Sequence, residues 1–212
     1  NMLKINEIFY SIQGESSKSG LPCVFVRLTY CNLRCSYCDS EYSFYEGQDM
    51  SINQILKKIK DYNCNLIEIT GAEPLLQKEC IDLMNKLIEK KYDVMLETGG
   101  SLPIQDVPKE VIKIIDFKCP SSNMHQKNKW SIVEDLQNHD EIKFVIGNAE
   151  DYEWTKKQIK KYNLYNNNIL FSPVHDVLDP KILSEWVLKD SMKVRIQLQL
   201  HKYIWSPETK GV

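Results

Sequence analysis

The stretch Thr29-Tyr-Cys-Asn-Leu-Arg-Cys-Ser-Tyr-Cys-Asp-Ser40 sets Cys31, Cys35 and Cys38 in a Cys-x3-Cys-x2-Cys array. Three thiolates on one tight loop match three irons of a cubane, whereas a purely structural cluster takes a fourth cysteine. The spacing therefore points to a 4Fe-4S cluster with one iron left open. An open iron can chelate the amino and carboxylate groups of S-adenosylmethionine, and one electron through it can cleave the sulfonium to a 5′-deoxyadenosyl radical. The competing reading is a zinc site completed by His125 or His175. No second Cys-x2-Cys accompanies the first, which weakens it. The other four cysteines, Cys23, Cys64, Cys80 and Cys119, fall one per element and read as small buried hydrophobes. Seven cysteines, three of them crowded together, make poor material for a secreted disulfide framework.

The loop needs a scaffold, and the flanking sequence describes one. Val24, Val26 and Leu28 alternate with Phe25, Arg27 and Thr29, so Cys23 to Thr29 reads as a strand ending at the cysteines. Ser51-Ile-Asn-Gln54 has the form of a capping box, and Ile52, Ile55, Leu56 and Ile59 follow at helical spacing. The alternation continues with strand 66–70, helix 78–90, strand 94–98, a helical turn near Pro108 and strand 112–117. Strand 141–146, helix 151–162, strand 169–172, helix 180–189 and a last strand 194–200 complete it. Strands alternating with helices predict an α/β fold with a parallel sheet, here a shortened, modified (β/α) partial TIM-type barrel of about six strands. The segment 118–130 is polar and irregular and reads as a long active-site loop. The chemistry-bearing residues follow the carboxyl ends of the predicted strands: the cysteines with Ser40, Thr70-Gly-Ala-Glu73, Glu97-Thr98, Lys118 with Pro120 and Ser121, Ser172 with His175, and His201. Parallel α/β architectures place ligand sites at that end, so the six sets are expected to share one cleft.

Bulk properties fit a globular enzyme and name no partner. The chain has 212 residues, 42% hydrophobic and 26% charged, with a formal net charge of −2. That size can bury a core without staples, and one domain spanning 2–212 is expected, Asn1 reading as a tag remnant before Met2. No apolar run approaches a membrane span, and no basic excess marks a nucleic-acid surface. A cytoplasmic location is expected, with no membrane or nucleic-acid partner.

The cysteine array with an aromatic at Tyr37, followed by Gly71-Ala-Glu-Pro74 after a strand, resembles the radical S-adenosylmethionine superfamily. There the second motif is usually Gly-Gly-Glu-Pro. Ala72 replaces the second glycine here, which costs nothing only if its φ is negative. Ile5-Asn-Glu-Ile-Phe-Tyr-Ser-Ile-Gln-Gly-Glu15, Phe25-Val-Arg-Leu28, Cys38-Asp-Ser40 and Gln199-Leu-His-Lys-Tyr-Ile204 narrow the likeness to the 7-carboxy-7-deazaguanine synthase family. The resemblance implies a lyase that converts 6-carboxy-5,6,7,8-tetrahydropterin to 7-carboxy-7-deazaguanine with loss of ammonia, in queuosine biosynthesis. It also implies Mg2+, a flavodoxin-like electron donor and a homodimer. By the same likeness Tyr37, Cys38, Asp39, Ala72, Cys119, Pro120 and Ser121 face S-adenosylmethionine, and Ser40 binds magnesium. Ile12, Gln13, Gly14, Glu15, Arg27, Thr70, Gln199 and His201 face the substrate, with the Gln199 to Ile204 stretch as a closing strand. Arg27 suits a substrate carboxylate, being a permanently charged planar fork that is expensive to bury unless an anion pairs with it. Two other readings are an activase that makes a glycyl radical on a partner protein, and a zinc-stabilised binding module.

Overall fold

Central strands buried on both faces dictate the architecture. In the computed structural model, which describes residues 1–212, nine strands form one continuous sheet. In chain order they are β1 (Met2–Ile12), β2 (Pro22–Leu28), β3 (Gln48–Ser51), β4 (Leu66–Gly71), β5 (Asp93–Thr98), β6 (Ile112–Phe117), β7 (Glu141–Ile146), β8 (Asn168–Pro173) and β9 (Arg195–Ile196). The sheet order is β3-β1-β2-β4-β5-β6-β7-β8-β9. From β2 to β9 every pairing is parallel, while β1 and β3 extend the edge antiparallel.

Helices α1 (Ile52–Lys60), α2 (Glu79–Glu89), α3 (Ala149–Tyr162) and α4 (Pro180–Lys189) accompany the parallel strands, and the short α5 (His201–Ile204) follows β9. The Ser51 capping box forms as the sequence predicts, with the Ser51 hydroxyl accepting from the Gln54 amide and the Gln54 side chain accepting in return. Apolar helix faces and one sheet face make the main core, including Val24, Val26, Leu28, Ile55, Ile69, Leu83 and Phe171. The other sheet face carries a second, six-residue layer of Phe9, Cys23, Phe25, Leu66, Met95 and Ile114. Above that layer, toward the strand carboxyl ends, the same face turns polar with Arg27, Glu68, Thr70, Glu97, Asp116 and Lys143 lining a cleft.

Three expectations need correction. The last strand is only Arg195–Ile196, and His201–Ile204 is a helical turn rather than a closing strand. The chain leaves β8 there because the Leu200 amide donates to the Gly14 carbonyl at 3.0 Å and the Ser16 amide donates to Gln197 at 2.8 Å. Near Pro108 there is a hydrogen-bonded turn, closed by the Val111 amide on the Pro108 carbonyl, but no helix. The antiparallel edge of β1 and β3 was not expected at all. Strand β1 reads less cleanly than its neighbours because its pairing with β2 slips between Ile5 and Glu7.

A buried ion pair braces the start of β6 and β7. Lys113 Nζ lies 3.2 Å from Asp140 Oδ2, and Asp140 also accepts from the Lys113 and Gln137 amides at 2.9 and 2.7 Å. Removing one partner of such a pair leaves an uncompensated charge. Asp140→Ala is expected to lower unfolding free energy by about 3–5 kcal/mol, measured by urea denaturation. A loss below about 1 kcal/mol would show the pair to be dispensable.

Candidate functional site

The cleft at the strand carboxyl ends has a volume of about 790 Å³. Its upper wall is the cysteine loop. Cys31, Cys35 and Cys38 are free, half-buried thiols on that wall. The loop is held from several sides. The Tyr30 amide donates to Ser43, and the Ser36 amide and hydroxyl donate to the Ser122 and Ser121 carbonyls. Arg34 donates to the Cys31 carbonyl at 2.8 Å and lies over the Phe44 ring. Burial pushes the Cys31 thiol up and the Cys35 thiol to about 11, and Lys118 pulls both back. No three His, Cys, Asp or Glu side chains stand close enough to hold a single metal ion. A cubane makes no such demand, since each thiolate meets a different iron. Three free thiols on one ordered loop, opening into a cleft, fit such a cluster.

The second wall is Gly71 to Glu73 at the end of β4. A Cβ on Gly71 would come within 2.8 Å of the Leu28 carbonyl, so only glycine allows this close strand approach. Ala72 does not adopt the left-handed region, so its methyl group carries no backbone strain. Glu73 is buried and bridges elements: its carboxylate accepts from Thr98 Oγ1 at 2.8 Å, the Gly99 amide at 2.7 Å and the Leu75 amide at 3.1 Å. Burial raises this carboxyl, and those hydrogen bonds draw it partly back.

The floor is built where the turn after β1 meets the chain's C-terminal segment. Gly14 is in contact with His201 so closely that a Cβ would lie 2.0 Å from Nδ1. Burial and Lys202 hold His201 below its ordinary pKa, favouring the neutral ring. Ile12, Gln13 and Glu15 join it on the cleft surface, as do Thr70 and Gln199. Gln199 and Lys202 both reach Asp39, at 3.3 and 3.0 Å; burial alone would raise that carboxyl, but Lys202 brings it down to about 2. Arg27 also lines the cleft, yet it is not unpaired as its position in the sequence suggested. Its Nε bonds Glu7 at 2.8 Å and one terminal nitrogen donates to the Gly71 carbonyl at 3.2 Å. Two of five donors are thereby taken, and the remaining fork edge is free for a ligand.

Tyr37, Cys38, Asp39, Ser40 and Ala72 are brought together on the cleft wall; Cys119, Pro120 and Ser121 are not. Cys119 is buried against Thr155, and Ser121 bonds Asp151 while its carbonyl braces Ser36. His175, one of the residues placed at a strand carboxyl end, lines the cleft and packs edge-on to Tyr203. Three ionisable residues of the cleft were not anticipated, Glu68, Asp116 and Lys143, and they stand beside Glu97. Lys143 contacts Glu97, and its Nζ lies 3.3 Å from Glu15 and 3.6 Å from Asp116. A signal for them did exist. Central parallel strands are ordinarily continuous apolar runs, so a charge that interrupts one, as Lys143 does in 141–146 and Glu68 in 66–71, marks a face turned into a polar cavity.

The comparisons agree with this geometry. Residues 26–120 match the model of the radical SAM superfamily. The chain is 44% identical to the 7-carboxy-7-deazaguanine synthase of Koribacter versatilis, over 99% of this chain and 100% of the relative. It is 42% identical to that of Chlorobaculum tepidum, over 99% and 97% of the two chains. Among solved structures, QueE from Escherichia coli superposes with a TM-score of 0.79 at 20% identity, covering 94% of this chain and 95% of that one. That likeness establishes the partial-barrel fold. Full-length identity at this level, together with three cysteines on a cleft wall, makes this chain a radical S-adenosylmethionine enzyme and a member of the 7-carboxy-7-deazaguanine synthase family.

Proposed function

We propose that the cleft binds 6-carboxy-5,6,7,8-tetrahydropterin beside a 4Fe-4S cluster and S-adenosylmethionine, and contracts the ring to 7-carboxy-7-deazaguanine with release of ammonia. The observation that carries this is the shared lining of one cleft, in which Cys31, Cys35, Cys38 and Ala72 of the walls meet Gln13, Glu15, Arg27, Thr70 and His201 of the floor. When bound, the cluster with its cofactor supplies a 5′-deoxyadenosyl radical. The chain's own residues bind, orient and exclude water. Cys31, Cys35 and Cys38 hold the cluster. Tyr37, half-buried with its hydroxyl toward the Val145 carbonyl, offers a ring face for the adenine. Asp39 and the Ala72 backbone complete the cofactor wall. Cys119, Pro120 and Ser121 support that wall from behind rather than touching the cofactor.

Substrate recognition falls to the floor. Arg27, locked in place by Glu7 and the Gly71 carbonyl, aims its free donors at the substrate carboxylate. Ser40 supplies one neutral oxygen to a magnesium ion that otherwise keeps waters and substrate oxygens, in keeping with that ion's few protein ligands. Ile12, Gln13, Gly14 and Glu15 frame the pterin, with Thr70, Gln199 and His201 around its rim. We place the enzyme in the cytoplasm as a homodimer of one domain per chain (residues 2–212), served by a flavodoxin-like reductant. No helix of the structure is long and apolar enough to cross a membrane.

Anaerobic incubation of the reconstituted protein with 6-carboxytetrahydropterin, S-adenosylmethionine and a reductant, followed by mass spectrometry, tests the reading. Formation of 7-carboxy-7-deazaguanine without net consumption of S-adenosylmethionine is expected; cofactor cleavage with no deazaguanine would contradict it. Cys31→Ala, Cys35→Ala and Cys38→Ala should each lose cluster iron while Cys64→Ala keeps it, and a full cluster in any of the first three would overturn the ligand set. Arg27→Lys should raise the substrate dissociation constant about 30-fold or more, since an ammonium cannot offer a carboxylate the two parallel donors of the guanidinium fork. A change below about threefold would remove Arg27 from carboxylate recognition.

A further inference from the structure

Glu68 sits in the cleft floor without a cation of its own. Lys143, the cation whose charge it feels, is already shared by Glu15, Glu97 and Asp116. Glu68 is 4% exposed and lines the cleft. Its Oε1 accepts from the Gln13 side-chain amide at 3.1 Å, and no protein group bonds Oε2. Burial first, then the Glu97 and Glu15 carboxylates, push this carboxyl well above its ordinary range. Such surroundings favour the neutral acid, which has one O–H to give and one carbonyl to receive, and no protein acceptor stands opposite that proton.

Register fixes where that pair of groups lies. Phe25 pairs with Glu68 and Arg27 with Thr70, so Glu68 is one pleat period below the Arg27–Thr70 rung on the same face, about 7 Å deeper. A substrate whose carboxylate meets Arg27 near the cysteine loop must turn its opposite end toward Glu68. In a pterin that end is the aminopyrimidine, whose N1 accepts a hydrogen bond beside a 2-amino group that donates one. Phe9 and Phe25, stacked at 4.9 Å, flank the way down.

We propose that Glu68 is a specificity-determining residue, which reads the aminopyrimidine edge of the substrate by a two-point hydrogen bond. The O–H donates to N1 while the carbonyl oxygen, still bonded to Gln13, accepts from the 2-amino group. This inference rests on the function proposed above and adds the feature that selects a 2-amino heterocycle. It gives a role to a carboxyl whose strand neighbours, Phe25 and Met95, belong to the apolar layer.

Anaerobic binding titrations of cluster-loaded wild type, Glu68→Gln and Glu68→Leu, each with 6-carboxytetrahydropterin and with its analogue bearing hydrogen in place of the 2-amino group, test it. Wild type should bind the analogue at least about tenfold more weakly than the substrate, because a buried group is then left unpaired. Glu68→Leu, which fills the space without polar atoms, should weaken substrate binding about tenfold or more and lose discrimination to within about threefold. Glu68→Gln keeps one donor and one acceptor and should stay within about threefold of wild type for both ligands. Iron content and S-adenosylmethionine affinity should match wild type in both variants, which separates recognition from a folding defect. Undiminished discrimination in Glu68→Leu would overturn the proposal, as would a Gln variant no better than the Leu variant. Failure of the wild type to bind or convert the pterin would instead overturn the underlying function and this inference with it.

Discussion

Glu73 is where the radical-generating half of the cleft is tied together. Its carboxylate receives Thr98 Oγ1, the Gly99 amide and the Leu75 amide, while its own amide donates to the Tyr30 carbonyl at 2.8 Å. The ends of β2, β4 and β5 thus meet at one buried group. An unpaired carboxylate in such a place would be costly, and three directed donors offset that cost. Gly99 has little alternative here, since a Cβ would come within 3.3 Å of Glu73 Oε2. The cysteine loop departs from the same junction at Tyr30, whose φ of 80° turns the chain into it. Placing three thiols on a cleft wall is therefore a consequence of how three strand ends are joined.

A second principle governs the floor. The sheet's concave face changes character along its strands, from the apolar layer of Leu66, Met95 and Ile114 to the charged layer of Glu68, Glu97, Asp116 and Lys143. Three carboxyls, Glu15, Glu97 and Asp116, meet Lys143, and burial raises Glu68 and Glu97 while those three hold the ammonium charged. Such a layer contributes little net stability, because desolvation consumes most of the Coulombic gain. What it supplies is orientation. Asp116 faces Lys143 directly across the β6–β7 pair, so the strand register itself sets the polar groups a ligand meets.

Much of this was legible in the residues, for identifiable reasons. The strand before the cysteines, the capping box at Ser51 and the helix at 180–189 carry strong local signals, and all form. The carboxyl-end clustering holds for the cysteines, Thr70, Glu97, Lys118 and His201, all of which line the cleft. Val194 to Leu200 failed as a strand although it alternates, because only Arg195 and Ile196 find a partner before Leu200 is captured by Gly14. That capture joins positions almost the whole chain apart, and no local pattern encodes it. Arg27 was rightly placed on the cleft face, but its partner Glu7 lies on an antiparallel strand that periodicity did not reveal. Glu68, Asp116 and Lys143 escaped notice because strands were recognised by their apolar residues, and the single charges that interrupt them were not followed.

Amide hydrogen exchange of wild type and Glu73→Ala tests most directly whether Glu73 is the shared junction. If it is, segments 29–33, 71–76 and 97–100 should lose protection together in the variant, by about tenfold or more, while β7 and β8 keep theirs. Faster exchange confined to residues 73–76, with the cysteine loop and the end of β5 protected as in wild type, would contradict the account.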